Sequence, residues 1–114
     1  MSNTFKLKTK AGIDTSLETI YTVPAAKTTV VIGLTLTNIK GASITASVQI
    51  SSNTVDVETN ADVYVVKDIP IPSGASVEVM AGNKIVLQTT DLIKVSGSVT
   101  DSIDAVLSVM ESDV

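Results

Sequence analysis

Val30-Val31-Ile32-Gly33-Leu34-Thr35-Leu36 decides the fold class. Read with a period of two, Val30, Ile32, Leu34 and Leu36 fall on one side. Val31, Gly33 and Thr35 fall on the other, the pattern of a pleated strand with one face toward a core. Working outward, residues 44–50 repeat the scheme, with Ile44, Ala46, Val48 and Ile50 against Thr45, Ser47 and Gln49. Near the end of the chain Ile103, Ala105, Leu107 and Val109 alternate with Asp104, Val106, Ser108 and Met110. Further strands are expected at about 17–23, 61–67, 75–80, 84–89 and 91–97. Val, Ile and Thr supply 43 of the 114 residues. Such side chains lose rotamer freedom in helices and pack well on pleated surfaces. A capping pattern at 12–19 is too short to define a helix.

The turn residues agree with short strands. Asn38-Ile39-Lys40-Gly41 separates two alternating runs and reads as a hairpin loop. Gly82-Asn83 suits a two-residue hairpin whose first position needs positive φ. Pro70 and Pro72 cannot donate to a ladder, so residues 69–73 are expected at a strand edge or a crossing between sheets. Seven or eight strands spaced by turns predict an all-β chain: a single antiparallel β-sandwich, jelly-roll-like, over residues 16–114. Residues 1–15 read as an extended N-terminal arm.

Composition excludes more functions than it suggests. The chain has no histidine, cysteine, arginine or tryptophan, and eight lysines against twelve carboxylates give a net charge of -4. The side chain best suited to proton transfer near neutral pH is therefore missing, with thiolate chemistry and disulfides. Guanidinium groups that would clamp phosphate or read guanine are missing too, so nucleic acid is a poor partner. No apolar run reaches the roughly 18 residues of a membrane-spanning helix. The opening residues lack the apolar centre of a signal peptide, so synthesis in a cytoplasm is expected.

Several polar groups are candidate sites. Asp56-Val57-Glu58-Thr59-Asn60-Ala61-Asp62 resembles the first half of a calcium loop, but Ala61 replaces the turn glycine and Lys67 falls where a closing glutamate is needed. A solvated loop explains the same letters. Asp101 and Asp104 could pair as glycosidase carboxylates do, yet turn formation before the last strand accounts for both. Serine and threonine nucleophiles would need lysine as base, and no Ser/Lys pair stands out. The expectation is a protein that is not an enzyme, with no catalytic, cofactor or metal residues. Glycan binding is the alternative class, with Tyr21 and Tyr64 as its stacking platforms, although both sit in apolar runs that suit a core.

Surface contact remains. The arm carries Phe5 and the alternating Lys6, Lys8 and Lys10, and it reads as a strand to be added or laid against an acidic neighbour. Val31, Val106 and Met110 fall on nominally outer faces. Together these seven residues are the candidate interface. Val63-Tyr64-Val65-Val66 and Ile85-Val86-Leu87 are apolar on both faces, as covered strands are.

Tyr21-Thr22-Val23-Pro24-Ala25 followed by Lys27-Thr28-Thr29-Val30-Val31-Ile32-Gly33-Leu34 resembles the opening of small virion structural proteins of tailed bacteriophages. Ile69-Pro70-Ile71-Pro72-Ser73-Gly74-Ala75-Ser76, Lys84–Leu87, Asp91–Val95 and Ile103–Glu111 fit the same pattern, which covers about residues 20–111. The resemblance implies a non-enzymatic building block of a virion, in many copies, on the capsid, neck or tail. Its partners would be copies of itself and other virion proteins. It carries over no ligand residues.

Overall fold

A computed structural model describes residues 2–80 and 84–114 of the chain. Nine strands run through them: β1 (Asn3–Ile13), β2 (Glu18–Thr22), β3 (Lys27–Asn38), β4 (Ile44–Ser51), β5 (Val63–Ile71), β6 (Ser76–Glu78), β7 (Ile85–Leu87), β8 (Leu92–Gly97) and β9 (Ile103–Asp113). They form two antiparallel sheets, one in the order β1-β9-β3-β6 with β7 also on β3, the other β2-β8-β4-β5. β6 and β7 lie end to end along one edge of β3, against Thr35–Thr37 and Thr29–Val31. Every connection except β4–β5 and β6–β7 joins strands of different sheets, which makes this a jelly-roll-like antiparallel β-sandwich.

The core forms where the alternating faces meet. β9 contributes Ile103, Ala105, Leu107 and Val109, all buried, and β4 contributes Ile44, Ala46 and Val48. Leu34, Leu36, Ile71, Ile93 and Val95 fill the space between them. Burying such aliphatic side chains gives about 1.5–3 kcal/mol each relative to exposure. The alternation thus reports accurately on β4 and β9.

In β3 the expected alternation fails over its first half. Val31 is fully buried, whereas Ile32 is 41% exposed. The register explains the reversal: Val31 pairs with Val109 and Gly33 with Ser108, so Ile32 is an extra residue in a β-bulge. A bulge shifts every preceding residue to the opposite face. Val31 therefore belongs to the core and cannot be an interface residue. Glu78, the last residue of β6, accepts hydrogen bonds from the Leu34 amide at 3.0 Å and the Thr35 hydroxyl at 2.6 Å.

The expected hairpin at 38–41 is also corrected. Its strands lie in different sheets, and the loop carries the chain across one end of the sandwich. The buried Asn38 side chain makes that path possible. Its amide donates to the Ala42 and Ile71 carbonyls at 2.9 and 3.0 Å, and its oxygen accepts from the Lys40 amide at 2.8 Å. Gly82-Asn83 lies outside the described residues, and the flanking β6 and β7 both pair with β3. Residues 69–71 end β5, an edge strand, and the chain then crosses to β6 in the other sheet, as the prolines predict.

The bulge makes a testable contrast between neighbours. Val31→Ala should cost about 2 kcal/mol by urea denaturation, while Ile32→Ala should cost less than about 1 kcal/mol. The reverse order would place the bulge elsewhere.

Candidate subunit interface

The N-terminal residues expected as an arm form β1, held by the chain's own last strand. β1 pairs with β9 from Asn3↔Ser112 to Lys10↔Ala105 and again at Ile13↔Ile103. The start is tied as well: the Ser2 hydroxyl donates to Asp113 at 3.1 Å, and the Ser112 hydroxyl to Asn3 at 2.7 Å. Lys27 and Asp113 form an ion pair beside them.

Period two splits β1 into two unlike faces. Lys6, Lys8 and Lys10 pair with Val109, Leu107 and Ala105, and so share the inner side of the sheet. The face is set by Glu111, which continues the inward series of β9 and is only 2% exposed. Its carboxylate meets the Lys6 ammonium at 2.9 Å and accepts the Tyr21 hydroxyl proton at 2.6 Å. The Thr29 hydroxyl lies 2.7 Å from that of Tyr21. One carboxylate thereby joins β1, β2, β3 and β9 across both sheets. Burial pushes the Glu111 carboxyl up, but the hydrogen bonds from Tyr21 and Lys6 outweigh it and hold the group below its ordinary value. Burial, aided by the Glu111 contact, pushes the Tyr21 hydroxyl up to about 12.

With the lysines inward, Phe5, Leu7 and Thr9 face out. Phe5 is 72% exposed and Leu7 66%. The register sets Phe5 beside Met110, Met110 beside Val30, and Val30 beside Val86, which is 62% exposed. An apolar row thus spans β1, β9, β3 and β7, four of the five strands of the first sheet. Next to it stand Leu7, Ser108 and Gly33, then Thr9, Val106 and Thr35. The carboxylates bordering this face are engaged: Glu78 with β3, and Asp104 with the Gly12 amide at 3.0 Å. Of the sequence candidates, Phe5, Val106 and Met110 lie on this outer face, the three lysines lie behind it, and Val31 lies in the core. Sequence reading missed Val30, because parity before a bulge misleads, and Leu7, which stands between the lysines that drew attention to the arm. It noted Val86 only as part of a two-sided apolar run.

Other candidate groups have structural partners. Asp62 accepts hydrogen bonds from the Ser51 hydroxyl and the Ser52 amide at 2.9 and 3.0 Å, so it closes the 52–62 loop. Asp101 sits in a turn with φ of 57°. Among the described residues no three acidic groups converge on a metal position. Tyr21 is buried and offers no stacking face. Tyr64 remains partly exposed, with the Lys67 ammonium 5.2 Å from its ring centre.

The Glu111 contacts predict stability limits at both ends of the pH range. A carboxyl depressed on folding stabilises the protein above its ordinary value near 4.5 and loses that contribution as pH falls through its folded value. A hydroxyl raised from 10 to about 12 contributes fully below pH 10 and loses its contribution between 10 and 12. Thermal melts should therefore weaken below about pH 4.5 and again above pH 10. Tyr21→Phe should remove the Tyr21 part of the alkaline loss and cost about 1–3 kcal/mol at neutral pH by leaving Glu111 short of a donor. A variant as stable as the parent at pH 7 would show that the contact stabilises nothing.

No protein-family model matches the chain, and no curated protein matches its sequence. Solved structures do match its fold. A chain of the infectious bursal disease virus particle aligns over 96% of this chain with a TM-score of 0.58 and 10% identity. This chain spans 30% of that longer viral chain. A second structure of the same virus, the Gx strain, gives 0.48 at 12% identity over 95% of the chain. A Bacillus endospore appendage protein, from a family forming disulfide-linked pili, gives 0.47 at 13% identity and covers the whole chain. At such identities the first likeness establishes a shared β-sandwich architecture.

Proposed function

We propose that this chain is a non-enzymatic structural component of a tailed-phage virion, a capsid decoration or a neck or tail accessory, that acts through subunit contacts. The observation that carries the reading is the uncharged apolar row Phe5–Met110–Val30–Val86, left open to solvent in the single chain. Charge depletion with apolar residues at the centre of a patch is the composition of interface cores. The sequence resemblance to small virion proteins and a sandwich shared with a viral particle chain support the same role. Its partners are then copies of itself and other virion proteins, and its location is the particle. The alternative, a glycan-binding or adhesive module on a host-facing appendage, keeps only Tyr64 of its two tyrosine platforms.

Mass spectrometry of purified virions from the phage that encodes the chain tests the role. The chain should be present in many copies per particle. Abundant chain in the lysate and none in purified particles would overturn the reading. Truncating residues 1–10 is a poor substitute, because it strips the β9 edge and leaves buried Glu111 without Lys6.

A further inference from the structure

We infer that the outer face of the β1-β9-β3-β7 sheet is a dimer interface, whose occupant is the same face of a second copy. The inference rests on the assembly role and names its first partner. Three features select that occupant over others. First, the apolar row carries no charge, and the Glu78 carboxylate beside it is held by the Leu34 amide and the Thr35 hydroxyl, so neither a basic nor an acidic partner gains by docking on the row. The chain's exposed lysines on β1 point behind it. A surface that is itself uncharged and apolar meets the same requirement, and a second copy supplies one.

Second, the area suffices. β3 and β9 are 12 and 11 residues long. β1 is 11 residues long, and β6 and β7, end to end along β3, add 3 each. At about 3.3 Å per residue and about 4.8 Å between strands, the face measures about 630 Å² per copy. Two copies then bury about 1,260 Å², at the lower end of the range of stable specific interfaces.

Third, the row is graded in size. Phe5 stands at one end and Val86 at the other, with Met110 and Val30 between them. Stacked sheets pack about 10 Å apart with interdigitating side chains. A two-fold axis parallel to the strands sets Phe5 over Val86 of the second copy and Met110 over Val30 of the second copy. Large then meets small along the whole row. An axis across the strands would set Phe5 on Phe5 and leave Val86 facing Val86 over a gap.

Sedimentation equilibrium of the full chain decides the matter. A species of twice 11.8 kDa is expected. Phe5→Asp and Val86→Asp should each weaken it at least tenfold, while Lys8→Gln, behind the face, leaves it unchanged. Circular dichroism confirms folding of each variant, since both residues are largely solvent-exposed. Val86→Phe should weaken the dimer, and adding Phe5→Val should restore it. A monomer throughout the concentration range, or a dimer indifferent to Phe5→Asp and Val86→Asp, overturns the inference. Val86→Phe strengthening the dimer overturns its axis. A monomeric chain that is nonetheless found in virions would leave the particle role standing without this partner.

Discussion

The buried carboxylate of Glu111 is the constraint on which the rest of the sandwich is arranged. A carboxylate removed from water is costly unless its oxygens are paired, and its partners must come from whatever strands surround it. Here they come from β1, β2 and, through Tyr21, β3. The edge strand is therefore not simply laid along β9. Its register is chosen by the need to bring Lys6 to Glu111, and a one-residue slip would replace that lysine with Phe5 or Leu7 and turn the lysines outward. The same contact that satisfies the core also determines what the surface displays.

Most of the architecture was legible because period two reports on burial directly. β4 and β9 lie where their alternation places them, and the prolines at 70 and 72 mark an edge and a crossing. Four features were hidden for physical reasons. Alternation says that a strand faces a core but not which layer it belongs to, so residues 38–41 read as a hairpin although they join the two sheets. A bulge leaves no compositional mark when the extra residue is as apolar as its neighbours, so Ile32 reversed the assignment of Val30 and Val31. The role of Glu111 was concealed by its charge. Extending Ile103, Ala105, Leu107 and Val109 by one more step points to it, but a carboxylate at a strand end reads as solvated. The outer apolar row was hidden most deeply, because it exists only once the register of four strands is known.

The open edges of the sheets explain why contact is better sought on the face. An edge strand offers unpaired amides and carbonyls to any other chain, and natural sheets blunt such edges. β5 does so with Pro70 and with a bulge in which Asp68 adopts φ of 52° and donates its amide to the Ser47 hydroxyl at 2.9 Å. β1 does so with lysines. Antiparallel pairing of two β1 strands in register would set lysine opposite lysine on the inner side, and like charges directly opposite one another destabilise a sheet. Edge-to-edge growth is thus disfavoured at both strands, while the apolar row of the face carries no charge to repel its own copy. A strand that is basic behind and apolar in front closes the edge and leaves the face open.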